Sequence, residues 1–225
     1  MNKIFYLLLS TVLFFTHCKN TAEKTPTQSA PQKAVEKPIV QKKIIVFFGN
    51  SLTAGYGLED VTRGFVSLIQ NRIDSLNLPY QCINAGLSGE TTAGGAGRVA
   101  WIIDQQPVDV FILELGGNDA LRGISPPSSL QNLQNIIDKV KKRHPSVKIV
   151  LAGMEAPRNM GKSYIKAFHD IYPTLAKKNN LPLIPFILEN VGGVKELNQS
   201  DGIHPTVQGN TIIAETIWTT LKPIL

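Results

Sequence analysis

The chain has 225 residues, of which 43% are apolar and 18% are charged, and its formal net charge is +6 at pH 7. This length allows one sizeable core and gives no sign of a second one. The positive excess lies near the N-terminus, because residues 19–43 hold six lysines against two glutamates. The remainder is nearly neutral, which excludes the basic face that a nucleic-acid-binding domain presents.

The first residues have the pattern of an export signal. Lys3 precedes an almost wholly apolar stretch at 4–15, which is too short to cross a bilayer as a helix but fits a secretory signal. Cys18 then resembles the lipobox cysteine of bacterial lipoproteins, although His17 stands where a small residue is usual. The resemblance implies a signal peptide at 1–17, export from the bacterial cytoplasm, and a lipid on Cys18 that holds the protein at a membrane surface facing the periplasm. Cleaved secretion, periplasmic or extracellular, and an uncleaved anchor remain open.

Residues 18–43 have the composition of a disordered tether. They contain no aromatic residue and include Pro26, Pro31 and Pro38 among Thr, Gln, Ala and Lys, so they cannot bury enough apolar surface to fold. We therefore predict one folded domain at 44–225. Within it Cys82 has no partner for a disulfide or a thiolate metal site and is expected to be a small buried apolar residue.

Strands and helices alternate through the predicted domain. The predicted strands lie at 44–48, 80–84, 108–115, 147–154 and 181–187, and the predicted helices at 65–73, 91–105, 128–143, 163–179 and 205–221. Pro173 is a possible interruption of the fourth helix, and Pro205 fits the first turn of the last one. Five alternations indicate an α/β fold with a parallel sheet that is covered on both faces.

Four polar turns punctuate this pattern. They are Gly-Asn-Ser-Leu at 49–52, Gly-Leu-Ser-Gly-Glu-Thr at 86–91, Gly-Gly-Asn-Asp at 116–119 and Asp-Gly-Ile-His-Pro at 201–205. The first three follow the first three strands, and ligands of open α/β sheets bind at the carboxyl ends of the strands. The fourth precedes the last helix and can return to that edge. Ser51 taken alone fits an N-cap equally well, so its importance depends on the other turns.

Together the turns contain the groups that acyl transfer requires, namely a nucleophile, a base, a carboxylate that orients the base, and donors for an oxyanion. Ser51 fits the nucleophile and His204 the base. Asp201, three residues before His204, can hold the second ring nitrogen. Gly89 offers a backbone N–H, and Asn118 offers a side-chain amide.

Each residue also has a simpler interpretation. Gly89 fits a turn that requires positive φ, Asn118 and Asp119 fit helix caps, and Asp201 fits an Asx turn. A metal site at Asp-x-x-His is disfavoured because no cysteine or second histidine lies nearby. The presence of all four turns in one chain favours catalysis.

The four turns, in this order, resemble the four blocks of the SGNH or GDSL-type esterase/lipase family, and the resemblance covers residues 44–225. The stretch Leu-Glu-Leu-Gly-Gly-Asn-Asp-Ala-Leu-Arg-Gly at 113–123 is similar to the branch of bacterial arylesterases, acyl-thioesterases and lysophospholipases. The resemblance implies a triad of Ser51, His204 and Asp201, and an oxyanion hole formed by Gly89, Asn118 and the N–H of Ser51. It also implies a flavodoxin-like three-layer α/β/α sandwich with strand order 2-1-3-4-5.

Three further residues within or next to these blocks are expected to support the site. Asn50 stands where the family usually has Asp, and we expect it to keep the hydrogen bonds of the turn while changing the local field. Glu114 is a carboxylate at the end of a buried strand, and we expect it to pair structurally with a neighbouring turn. Asp119 belongs to the third block.

We therefore expect a serine esterase that hydrolyses short-to-medium acyl esters, arylesters, thioesters or lysophospholipids through an acyl-enzyme, without a cofactor or a metal. The expected partners are this small substrate and, through the anchor, a membrane surface. A carbohydrate O-deacetylase with the same triad remains an alternative. So does a non-catalytic relative that binds acylated ligands, for which Asn50 leaves room.

Overall fold

The computed structural model describes residues 41–225. The predicted signal peptide, Cys18 and nearly all of the predicted tether lie outside the described residues, so the domain boundaries stay predictions. Within residues 41–225, no helix is both long enough and apolar enough to cross a membrane.

Five parallel strands form the sheet in the order β2-β1-β3-β4-β5, which confirms the predicted topology. The strands are β1 (Lys43–Gly49), β2 (Tyr80–Gly86), β3 (Val110–Glu114), β4 (Lys148–Ala152) and β5 (Leu183–Ile184). β2 lies on one side of β1 and β3 lies on the other, so the direction in which successive strands are added to the sheet reverses after β2. Such a reversal opens a crevice at the carboxyl ends of the two strands, here β1 and β3.

Helices cover both faces of the sheet. They are α1 (Ser51–Ala54), α2 (Phe65–Ser75), α3 (Thr92–Asp104), α4 (Gly117–Leu121), α5 (Pro126–Arg143), α6 (Lys162–His169), α7 (Ile171–Asn179) and α8 (Val207–Leu221). One layer pairs α2 with α8, and the other packs α3, α5 and α7 together. Side chains alternate between the faces of β1: Phe47 packs on Phe65 of α2, and Phe48 stacks on Phe111 of β3.

The prolines explain where the helices depart from prediction. The third predicted helix begins at Pro126 rather than Ser128, because proline fits the first helical position. The fourth is two helices that meet at Asp170, since the ring of Pro173 would clash with a carbonyl one turn earlier in a continuous helix. The placement of Pro205 inside the last helix is wrong, because Thr206 caps that helix by accepting from Gly209 N.

Other departures concern short elements. The fifth strand is wrong in length, since β5 contains only Leu183–Ile184. The short helices α1 and α4 were not predicted, because four or five residues carry no readable helical period. Both begin at turns that contain predicted site residues.

The end of β2 lies directly against α1. A Cβ added to Gly86 would stand 2.3 Å from Ala54 N and 2.8 Å from Thr53 C, both of them backbone atoms. Asn84 Nδ2 also donates to Thr53 O at 2.8 Å. The absence of a side chain at Gly86 therefore sets how closely α1 approaches the sheet.

Replacing Gly86 by alanine should lower the free energy of unfolding by about 1–3 kcal/mol, because the backbone of α1 must move away. Urea unfolding of the purified domain measures this. The matched control is Gly97→Ala in α3, where an added Cβ meets nothing within 4 Å and helix propensity should raise stability by about 0.5–1 kcal/mol. A Gly86→Ala protein as stable as Gly97→Ala would contradict the packing described here.

Candidate active site

The turn after β1 presents Ser51 at the carboxyl edge of the sheet. Asn50 caps α1, because its Oδ1 accepts from Leu52 N at 2.9 Å. The helix ends after one turn at Gly55, which is left-handed with φ of 74°. Ser51, the first helical residue, is consequently half-buried at the mouth of the crevice.

A buried carboxylate lies beneath this turn. Glu114, at the end of β3, accepts hydrogen bonds from Asn50 N at 3.2 Å, Asn50 Nδ2 at 2.8 Å and Thr53 Oγ1 at 2.8 Å. Burial raises the pKa of Glu114 to about 7, although these hydrogen bonds act to lower it. Asn50 thus keeps the hydrogen bonds of the turn, and Glu114 pairs with a neighbouring turn, both as expected from the sequence.

Ser51, His204 and Asp201 form one hydrogen-bonded chain. His204 Nε2 lies 2.8 Å from Ser51 Oγ, and His204 Nδ1 lies 2.6 Å from Asp201 Oδ2. The hydrogen bond from the His204 ring, followed by those from the backbone N–H groups of His204 and Ile203, lowers the pKa of Asp201 to about 2. Because the ionised Asp201 only accepts hydrogen bonds, Nδ1 carries the ring proton and Nε2 offers its lone pair to Ser51.

The loop that carries Asp201 and His204 is closed at its base. Asn198 and Pro205 form an antiparallel bridge, and Gln199 N donates to His204 O at 2.7 Å. The ring of Tyr56 packs on the His204 ring with centroids 4.6 Å apart. Sequence reasoning missed Tyr56, and no local pattern points to it, because the contact joins residues far apart in the chain.

Backbone and side-chain donors face the same edge. Gly89 has φ of +79°, and Arg122 Nη2 donates to its carbonyl at 3.0 Å. Asn118 Nδ2 donates one hydrogen to Glu90 O at 3.0 Å, which leaves its second hydrogen available. Among the described residues, the backbone N–H groups of Ser51 and Gly89 have no acceptor. Ser51 and Asn118 line the cavity described below, and Gly89 is not among its lining residues, so the three groups stay predicted oxyanion donors.

Asp119 connects three helices behind these donors. Its fully buried carboxylate accepts from Thr92 N at 2.9 Å, at the start of α3, and from Ser129 Oγ of α5 at 2.9 Å. Asp119 itself lies in α4, directly after Asn118. The predicted supporting role is therefore structural, since Asp119 fixes the turn that carries Asn118.

A cavity of about 830 Å³ opens beside Ser51, Asn118 and His204. Much of its wall is apolar. It includes Leu121 of α4 together with residues that follow β4 and β5 or precede α8, namely Met154, Phe186, Leu188, Val194 and Ile203. Glu155 and Arg158 supply charged groups to the same wall.

Residues 41–225 contain no cluster of three or more His, Cys, Asp or Glu that could hold a metal ion. Cys82 lies elsewhere, partly buried against the core, where burial raises the pKa of its thiol to about 12.

Comparison with known proteins identifies the family. The model of the GDSL-like Lipase/Acylhydrolase family matches residues 47–212. Esterase TesA of Pseudomonas aeruginosa is 39% identical over 80% of this chain and 89% of its own, and an arylesterase of Vibrio mimicus is 34% identical over 93% and 94%. A crystal structure of TesA has a TM-score of 0.77 at 38% identity and covers 81% of this chain and 100% of its own. The chain therefore belongs to the GDSL-like lipase/acylhydrolase family and is a carboxylic ester hydrolase.

Proposed function

We propose that this chain is a serine esterase in which Ser51 is the nucleophile, His204 the general base and Asp201 the residue that orients the base. The observation that carries the proposal is the continuous chain from Asp201 Oδ2 through both nitrogens of His204 to Ser51 Oγ, with steps of 2.6 and 2.8 Å. These distances lie within the range at which a base takes a proton from a nucleophile.

The reaction has two steps. Ser51 Oγ bonds to the carbonyl carbon while its proton passes to His204 Nε2, and the oxyanion is held by the N–H of Ser51, the N–H of Gly89 and the free amide hydrogen of Asn118. The bond to the leaving group then breaks as His204 returns the proton to it. Water attacks the acyl-enzyme in the same way, its proton passing to His204, and the carboxylic acid leaves with Ser51 restored.

The cavity wall favours acyl substrates over acetylated sugars. Apolar side chains such as Phe186 and Leu188 line about 830 Å³ beside Ser51, which is far more room than an acetyl group needs. Polar side chains such as Glu155 and Arg158 line the same cavity, and they are the kind of hydrogen-bonding group that the alternative substrate, an acetylated sugar, would require. We therefore propose short-to-medium acyl esters, arylesters, thioesters or lysophospholipids as substrates, with the carbohydrate O-deacetylase as the alternative.

Replacing Ser51 by alanine should abolish hydrolysis across p-nitrophenyl esters from acetate to dodecanoate and across acetylated glycans, because within residues 41–225 no other nucleophile is hydrogen-bonded to His204. Steady-state rates and labelling by a fluorophosphonate probe measure this, with circular dichroism as the control for folding. The wild-type protein should turn over the longer esters faster than acetylated glycans, and the reverse order would favour the deacetylase. A folded wild-type protein that neither turns over ester nor takes the label would support a non-catalytic acyl-binding relative.

Replacing Asn118 by alanine should lower kcat about 10²–10³-fold while KM changes little, because the lost donor acts on charge that develops in the transition state. The matched control is Asn84→Ala, which also removes an amide that donates to a backbone carbonyl, that of Thr53, but not an oxyanion donor. Equal kcat losses in the two variants would contradict the role of Asn118.

We also propose that the full-length protein is exported and held at a membrane surface facing the periplasm by a lipid on Cys18. The support is the sequence pattern alone, because Cys18 lies outside the described residues. Full-length protein expressed in a bacterium should partition into the detergent phase of a Triton X-114 extraction, and Cys18→Ser should move it to the aqueous phase. Wild-type protein found in the aqueous phase would contradict the proposed lipid on Cys18.

A further inference from the structure

One buried ionisable group beside Ser51 has no part in the acyl-transfer steps. The Glu114 side chain is 1% exposed, yet it receives three hydrogen bonds, all of them from the turn that carries Ser51. Three donors, with no acceptor bonded to this carboxyl group among residues 41–225, suit an ionised carboxylate. Burial raises the pKa of Glu114 to about 7, so above neutral pH Glu114 is an anionic anchor beneath Ser51.

The orientation of the Asn50 amide follows from its two contacts. Its Oδ1 accepts from Leu52 N at 2.9 Å, so this atom must be the oxygen. The NH₂ group then necessarily points to Glu114 Oε1, at 2.8 Å. Ser51 Oγ lies 3.4 Å from the same Oδ1. Asn50 thus connects the buried anchor to the helix whose first residue is Ser51.

We infer that Asn50 and Glu114 act together as positioning residues for Ser51, and that the amide of Asn50 keeps their contact unchanged on the alkaline side of neutral pH. The inference rests on the proposed role of Ser51 as the nucleophile. The Asn50 amide donates a hydrogen bond to Glu114, and no change in pH removes the hydrogen that makes it.

An aspartate at position 50 would behave differently. Its second oxygen would occupy the site of Nδ2, 2.8 Å from Glu114 Oε1. Two carboxylates at this distance cannot both ionise without strong repulsion, so they share one proton. When rising pH removes that proton, two like charges repel directly beneath Ser51. The amide avoids this because its hydrogens do not titrate.

The buried environment of Glu114 should shift the loss of this shared proton to alkaline pH. Burial already raises the pKa of Glu114 to about 7, and a second carboxylate in contact with it would raise it further. Within residues 41–225 no Lys or Arg forms an ion pair with Glu114, so no cation in contact with it offsets this rise.

The other titratable groups around Glu114 come from α4, α6, α7 and the loop that carries His204. Tyr172 of α7 donates to Leu115 O at 2.9 Å, and burial raises its pKa well above the usual value. Tyr164 of α6 donates to Ile124 O at 2.8 Å, and burial, followed by the charge of Asp119, raises its pKa. Asp119 of α4 accepts from Thr92 and Ser129, and His204 contacts Ser51 Oγ. None of the four hydrogen-bonds to Glu114.

The test compares wild type with Asn50→Asp, Glu114→Gln and the double variant that carries both. The assay is p-nitrophenyl butyrate hydrolysis on the full chain from about pH 8 to pH 10, with kcat and KM separated at each pH. Wild-type kcat should stay constant over this range. The kcat of Asn50→Asp should fall at least about tenfold from its own value at the lower end, with KM little changed, because repulsion displaces Ser51 rather than the substrate wall.

The double variant exchanges the two functional groups. In Glu114→Gln alone, the new NH₂ faces either the side-chain NH₂ or the backbone N–H of Asn50, both of which are donors, so kcat should fall about tenfold or more at every pH. In the double variant the introduced glutamine donates to the introduced aspartate, and its oxygen still accepts from Thr53 and the backbone. One anion and one amide are then restored in reversed positions, so kcat should recover from the Glu114→Gln level and stay constant over the alkaline range.

Two results would overturn the inference. One is an Asn50→Asp profile as flat as that of wild type, and the other is a double variant no better than Glu114→Gln. Fluorophosphonate labelling rates, measured alongside, should follow kcat because they report on Ser51 itself, and circular dichroism at each pH controls for unfolding. Failure of the proposed function gives a different result: Ser51→Ala would then retain turnover, whatever the pH profiles of the other variants.

Discussion

The hydrogen bonds between the Glu114 carboxylate and the turn after β1 are the contact on which the geometry of this site depends. The turn is only one helical turn long and exposes Ser51 to the cavity, while the end of β2 packs against its other side. Glu114 accepts from the backbone and the side chain of Asn50 and from Thr53. An added Cβ at Gly49 would stand 2.4 Å from Glu114 Oε2, so even the residue that ends β1 must be small for this contact to form.

The topology of the sheet explains why these groups meet. Glu114 and Gly49 are register partners on adjacent strands, so the ends of β1 and β3 lie side by side where the strand order reverses. At such a reversal no crossover helix covers the crevice between the two strands. Ser51, the proposed nucleophile after β1, is therefore open to the cavity on one side, and Glu114 at the end of β3 contacts the same turn from the other side.

Much of this could be predicted from the sequence. Apolar runs separated by segments of helical period indicate the α/β class. The turns at Ser51, Gly89 and Asn118 follow the first three strands and are predicted at one edge because parallel strands share it. The His204 turn, which precedes the last helix, is predicted only to be able to return there. The structure brings all four turns together there. What could not be predicted depends on contacts between distant residues: the packing of Tyr56 on His204, the three donors of Glu114, and the apolar cavity wall built from several loops. Local patterns carry no information about such pairs, and only the fold determines them.

The two carboxylates near Ser51 differ in pKa because their environments differ. Asp201 is 38% exposed as a side chain and is surrounded by donors, so its pKa falls to about 2. Glu114 also has donors, but full burial outweighs them and raises its pKa to about 7. In the proposed mechanism the Asp201 carboxylate must stay ionised while His204 changes its charge, and partial contact with water favours this. Glu114 tolerates burial because it exchanges no proton in the proposed reaction, and burial keeps water from competing for the hydrogens of Asn50 and Thr53. The position of each carboxylate relative to solvent therefore fits the task proposed for it.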